Sequence, residues 1–180
     1  GHTVILCDLK DRFTGYHYDN FRCIVCDVSD IEAVTSLPKC EAIYHLAGQV
    51  GTLGALNNLN LDLKYNAEGT LNISQFAAKN NVKILVYTSS MAVYGSQDNA
   101  KETDLLLPVS PYGISKACGE HYIKYASDLN SSMRWVIYRI FNCYGPHQTT
   151  KNLTQGLASI FLNQIYNGNK IEVKGSLNRF

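Results

Sequence analysis

No apolar run in this chain approaches the ~20 residues that a membrane-spanning helix needs, so no such span is expected. Charge of either sign is scarce: 17% of residues are charged, and the formal net charge is +1. With neither sign in excess, nothing calls for nucleic acid or a membrane surface as partner. Internal repeats, low-complexity tracts and clear linkers are all lacking. Gly1-His2 leads straight into a strand-like run, so no signal peptide is expected. Cys23 and Cys26 form a CxxC, but there is no second CxxC to complete a zinc site. Side chains three apart on a strand point to opposite faces, which makes a poor chelate. No metal is expected. Cys7, Cys23, Cys26, Cys40, Cys118 and Cys143 read as scattered thiols in a reducing cytoplasm.

What is present suits a globular α/β domain. The chain is 46% hydrophobic, and its 180 residues can enclose a sizeable core. Short apolar runs recur, each ending in a polar or small residue. They are Val4–Cys7 before Asp8, Cys23–Cys26 before Asp27, Ala42–Ala47 before Gly48, Ile84–Tyr87 before Thr88-Ser89-Ser90, and Trp135–Tyr138 before Arg139. Such runs predict parallel strands buried on both faces. Helical patterns alternate with them. Ser29 or Asp30 caps one through Leu37, and another spans about 60–79. Ser110-Pro111 starts a third, which runs to about Tyr125. Asn152 to Asn167 reads as a fourth, stopped by Asn167-Gly168, and Ile171-Glu172-Val173 as a last strand. The alternation predicts a parallel α/β sheet, with ligands bound beyond the carboxyl ends of its strands.

Tyr112 and Lys116 form a YxxxK at the start of the third helix, on one helical face. An ammonium beside a phenol favours the phenolate, so Lys116 is expected to lower the Tyr112 pKa and make it a base for a sugar or alcohol hydroxyl. Ser90, ending the preceding strand, is the candidate for positioning the substrate oxygen. A second YxxxK, Tyr166 with Lys170, spans Asn167-Gly168 and follows no serine-bearing strand, so it reads as a coincidence of spacing.

The segments around these residues carry a resemblance. Ser89-Ser90-Met91-Ala92-Val93-Tyr94-Gly95 precedes Ser110-Pro111-Tyr112-Gly113-Ile114-Ser115-Lys116. Elsewhere stand His45-Leu46-Ala47-Gly48, Asn66 followed by Gly69-Thr70, and Arg139-Ile140-Phe141-Asn142-Cys143-Tyr144-Gly145-Pro146. Together, over nearly the whole chain, they resemble the extended short-chain dehydrogenase/reductase family. The likeness is greatest to nucleotide-sugar epimerases of the UDP-glucose 4-epimerase type. The resemblance implies a doubly wound, Rossmann-type parallel sheet with NAD as cofactor and a UDP-hexose as substrate. It also implies a homodimer formed through the two long helices. Residues 1–150 would hold the cofactor domain and the catalytic residues, and 151–180 the start of a substrate region.

Residue by residue, the resemblance implies that Ser90 and Tyr112 act on the sugar 4-hydroxyl. Lys116 would hold the nicotinamide ribose and tune Tyr112. Asp8 would take the adenosine ribose hydroxyls. Its charge would favour NAD over NADP, with Lys10 and Arg12 pulling the other way. Asp27 and Val28 match an adenine-contacting pair, Leu46, Ala47 and Gly48 run under the cofactor, and Asn66 matches a further cofactor position. Asn142 matches a substrate contact, and Asn152 with Leu153 a pair that meets the diphosphate. Plainer readings stand beside these. Asp8 and Asp27 also suit turns or caps, Asn66 a solvated helix position, Asn142 a turn and Asn152 a helix cap. His45 reads as structural.

The pattern departs from the family at both ends. The first strand and its glycine-rich turn are absent, with no GxxGxxG anywhere. Asn178-Arg179-Phe180 stops short of an expected Arg-Asp-aromatic segment. A longer protein is expected, of which these residues alone would be unstable and would bind NAD weakly. Within the family, Met91-Ala92 argues against a 4,6-dehydratase, which has Asp-Glu there. Ala92 argues against a 3,5-epimerase/reductase, which has Cys. A decarboxylase and a non-catalytic cofactor-sensing protein remain as alternatives.

Overall fold

The computed structural model describes residues 1–10, 20–50, 58–146, 148–149 and 156–173. The chain forms two compact units, Gly1–Arg139 and Ile140–Phe180.

In the first unit the apolar runs become parallel strands. β1 (Val4–Asp8) pairs with β2 (Phe21–Val25), Val4 opposite Phe21 and Asp8 opposite Val25. β3 (Ala42–His45) pairs with β4 (Ile84–Ser90), His45 opposite Tyr87, and β5 (Arg134–Ile140) neighbours β4. The sheet comes in two pieces, since no ladder joins β1 to β3 among the described residues. β3 is also shorter than its apolar run. Its ladder stops at His45, whose carbonyl accepts from the Thr88 hydroxyl at 3.4 Å.

Helices start where the sequence supplies caps. Asp30 accepts from the amides of Glu32 and Ala33 and opens α1 (Ile31–Thr35). α2 covers residues 59–79. It is an α-turn at Leu59–Asp62, a π-helical stretch at Leu63–Glu68, then α-helix over Gly69–Lys79. Such π segments are rare and recur at functional sites. Ser110 caps α3 (Pro111–Leu129) by accepting from the Gly113 amide at 3.1 Å, with Pro111 in the first turn. The helix continues past Tyr125 because nothing before Asn130 interrupts it.

α2 and α3 pack on each other, and α3 lies on β4. A Cβ at Gly119 would lie 2.6 Å from the Tyr87 hydroxyl, so only glycine allows this approach of helix and strand. Leu85, Tyr87, Ile123 and Val34 are fully buried, with Phe76 and Ile73 beside them. Each such large apolar side chain contributes about 1.5–3 kcal/mol of burial free energy. The expectation of strands buried on both faces holds for β4 alone. The other strands keep exposed positions, such as Val25 and Tyr44, because the described helices layer chiefly over β4.

In the second unit, α4 (Leu157–Tyr166) ends at Asn167-Gly168, as read from the sequence. The expected strand at 171–173 does not form. The Glu172 amide donates to the Gln164 side chain at 3.1 Å instead of to a ladder. No helix among the described residues is long and apolar enough to cross a membrane. All six cysteines are free, and no described group of three His, Cys, Asp or Glu side chains could hold a metal.

Candidate active site

Ser90 is the last residue of β4 and caps the 3-10 turn Met91–Tyr94 that follows. Its oxygen accepts the Ala92 amide at 3.2 Å, which leaves its hydroxyl proton to donate elsewhere. The Tyr112 phenol, in the first turn of α3, feels this side chain: Ser90 pulls the phenol's pKa down. The strand end and the helix start thus bring the two hydroxyls together.

One helical turn further along α3, Lys116 is 3% exposed. Its ammonium donates to the Thr88 carbonyl at 2.9 Å and lies 4.9 Å from the centre of the Tyr87 ring. Burial pulls its pKa down to about 8, and the nearby Asp62 carboxylate opposes that fall. The expected effect of Lys116 on Tyr112 is not what this site shows. Burial pushes the phenol above its ordinary value, the Ser90 hydrogen bond pulls it down, and Asp62 pushes it up again. Desolvation of the phenolate outweighs the hydrogen bond.

Asn66 stands in the π-helical stretch of α2 and is fully buried. Its amide nitrogen donates to Ser115 Oγ at 3.0 Å and to Asp62 Oδ1 at 3.4 Å. Its oxygen, buried, has no hydrogen-bond partner. A Cβ placed on Gly48 would lie 2.5 Å from that oxygen and 3.4 Å from Lys116 Nζ. Gly48, Asn66 and Lys116 therefore converge on one spot, and Asn66 is not a solvated helix residue.

The remaining candidates are placed less closely. Asp8 ends β1 and accepts from the Lys10 amide at 3.2 Å. Asp27 accepts from the Ser29 amide at 2.9 Å and the Ser29 hydroxyl at 2.6 Å, and it pairs with Lys64 at 3.6 Å. Burial opposes its charge, yet these partners hold its carboxyl below the ordinary value. Val28 packs on Gly69, and its carbonyl accepts from Asn72. Leu46 and Gly48 are exposed and Ala47 half-buried at the end of β3. His45 is buried, contacts Thr70 Oγ1 at 2.9 Å and stacks on Tyr87. Burial, then the Lys116 charge, pushes its pKa down to about 3, so it stays neutral. Asn142 is an exposed residue of the second unit, outside regular structure. Asn152 and Leu153 lie outside the described residues. Tyr166 ends α4, so the second YxxxK does not share a helix.

Two groups escaped the sequence reading. Asp62 is buried four residues before Asn66, a spacing that places both on one face of α2. Glu120, fully buried, extends the same four-residue spacing beyond Lys116. It accepts from Ser89 at 2.6 Å and forks onto Arg139, Nη2 to Oε2 at 2.9 Å. Arg139 Nη1 reaches the Tyr94 hydroxyl at 2.8 Å. Nothing in the local pattern separates either from an ordinary helix charge, since each shares its face with another polar residue, Asn66 or Lys116.

The pattern of the NAD dependent epimerase/dehydratase family matches residues 1–179. A UDP-glucose 4-epimerase of Pisum sativum is 31% identical over 124 residues, 68% of this chain and 35% of the relative. A dTDP-4-dehydro-6-deoxyglucose reductase of Escherichia coli is 29% identical over 175 residues, 96% of this chain and 54% of the relative. Among solved structures, a UDP-N-acetylglucosamine 4-epimerase from Methanobrevibacter ruminantium M1, in complex with UDP-N-acetylmuramic acid, superposes with a TM-score of 0.84 at 26% identity. That likeness covers 97% of this chain and 58% of the other. The chain spans about a third to a half of the length of these curated relatives.

Proposed function

The chain belongs to the NAD dependent epimerase/dehydratase family, and on that premise we propose that the protein inverts C4 of a nucleotide sugar, a UDP-hexose, through a transient 4-keto sugar. The observation that carries the reading is the convergence of Gly48, Asn66 and buried Lys116, one turn of α3 from Tyr112, whose phenol the Ser90 side chain pulls toward ionisation.

In this reading NAD supplies the acceptor for the carbon-bound hydrogen and a positive ring charge that favours the phenolate. Gly48 leaves room for a ribose hydroxyl, which the unpartnered oxygen of Asn66 and the Lys116 ammonium suit as acceptor and donor. Asp8 takes the adenosine ribose, Asp27 and Val28 flank the adenine, and Leu46 and Ala47 lie under the cofactor. Tyr112 takes the 4-hydroxyl proton and later gives it back to the same oxygen, the inversion coming from return of the carbon-bound hydrogen to the other face of C4, and Ser90 orients the oxygen. Asn142, Asn152 and Leu153 meet the substrate. Residues 1–150 carry the cofactor site, and 151–180 begin the substrate region. Exposed Leu59 and Leu63 on α2, with Ile114, Tyr125 and Leu129 on α3, suit a homodimer contact.

The test incubates the full-length protein with a panel of nucleotide sugars and follows the products by NMR. A 4-epimer formed without net consumption of cofactor supports the reading. The Escherichia coli relative favours a second reading, a reductase, which would consume reduced cofactor one for one. Tyr112→Phe should lose about 10²–10⁴-fold in turnover while cofactor stays bound. Unchanged turnover in that variant would remove Tyr112 from the chemistry.

A further inference from the structure

Asp62 is a buried carboxylate to which the chemistry above assigns no task. It is 1% exposed and sits where α2 passes from its first α-turn into the π-helical stretch. Its Oδ2 has no hydrogen-bond partner. A carboxylate so placed is costly unless a cation faces it. The groups that feel its charge come from α3. Asn66, which donates to Asp62 Oδ1 at 3.4 Å, brings its own oxygen to the same spot beside Gly48 as Lys116 Nζ, and the charge of Asp62 acts on Lys116 and on Tyr112. Behind Lys116, β3 and β4 present His45, which stays neutral, and the ring of Tyr87. A chain of hydrogen bonds also ties Asp62 to α3. Asn66 donates to both Asp62 and Ser115, and the Ser115 hydroxyl donates to the Tyr112 carbonyl at 2.8 Å.

We propose that Asp62 is a positioning residue for charge: as a carboxylate it keeps Lys116 as the ammonium and Tyr112 as the neutral phenol until a ligand's positive charge enters the site. The inference rests on the reading of Tyr112 as the proton-transferring group. Burial pushes the Asp62 carboxyl up and the Lys116 ammonium pulls it back, so the role requires that Asp62 be ionised while Lys116 is protonated.

The test replaces Asp62 by Asn, which keeps the shape and the oxygen that accepts from Asn66. Ring-labelled tyrosine is followed by NMR against pH in the full-length protein, with Tyr112→Phe identifying the signal. Removing the negative charge should lower the Tyr112 midpoint by about one pH unit. In turnover, both limbs of the pH profile should move toward acid, while a purely structural loss would lower the rate without moving them. Asp62→Glu should restore the midpoint. A Tyr112 midpoint that stays put or rises in Asp62→Asn overturns the proposal. Should that variant fail to fold, the Asp62 carboxyl signal of the wild type decides. Ionisation below the pH where Lys116 titrates, about 8, supports the role. A carboxyl still protonated there overturns it. The titration needs no substrate. A shifted midpoint in a protein that converts no sugar would sink the functional reading and leave this one standing.

Discussion

Replacing Arg139 by Met should cost far more than losing a surface ion pair, because of what it leaves behind. Glu120 is fully buried, and the Arg139 side chain is 12% exposed. Nε and Nη2 of Arg139 reach both carboxylate oxygens, at 3.0, 3.3 and 2.9 Å. Nη1 also donates to the Tyr94 hydroxyl and to the Glu102 carbonyl at 3.1 Å. Methionine fills much of the arginine stem's volume but leaves the carboxylate with Ser89 as its described partner. Stranding a buried charge in this way costs about 3–5 kcal/mol. With a urea m-value of about 2 kcal/mol per molar, the unfolding midpoint should fall by roughly 1.5–2.5 M. The double variant Arg139→Met, Glu120→Leu removes the stranded charge and should regain most of that loss. Urea melts of the four proteins form the double-mutant cycle. A single-variant loss below about 1 kcal/mol, as for an exposed pair, would refute the reasoning, and so would an absence of coupling. Ser89 precedes Ser90, and Tyr94 closes the turn after it, so this ion pair also anchors the strand end to α3.

Ser90→Ala removes the hydrogen bond that pulls the Tyr112 pKa down, so the acid limb of the pH–rate profile should move to higher pH; a profile that falls evenly without moving would contradict this. The His45 pKa is depressed from 6.5 to about 3, so its contribution to stability is complete above 6.5 and lost as pH falls toward 3. In that window stability should drop with a slope approaching about 1.4 kcal/mol per pH unit from this residue. Comparing chemical melts of wild type and His45→Gln across the window checks it, and equal slopes would count against the assignment.

Much of this protein was determined by local chemistry alone. Apolar runs ending in polar residues marked every strand found. Ser29 or Asp30, and Ser110, marked helix starts, the first cap falling on Asp30, and Tyr112 with Lys116 could be placed on one face from spacing. What needed tertiary structure was whatever depends on neighbours distant in sequence. Among the described residues no ladder joins β1 to β3, and Glu172 bonds the Gln164 side chain where a strand was expected; strand pairing depends on neighbours that a local run does not specify. Asp62 and Glu120 looked like ordinary helix charges until folding buried them against Lys116 and Arg139. The sign of the shift at Tyr112 also belongs to the fold. Spacing brings a lysine near, but burial sets the cost of a phenolate, and that cost depends on how much water the surrounding elements exclude.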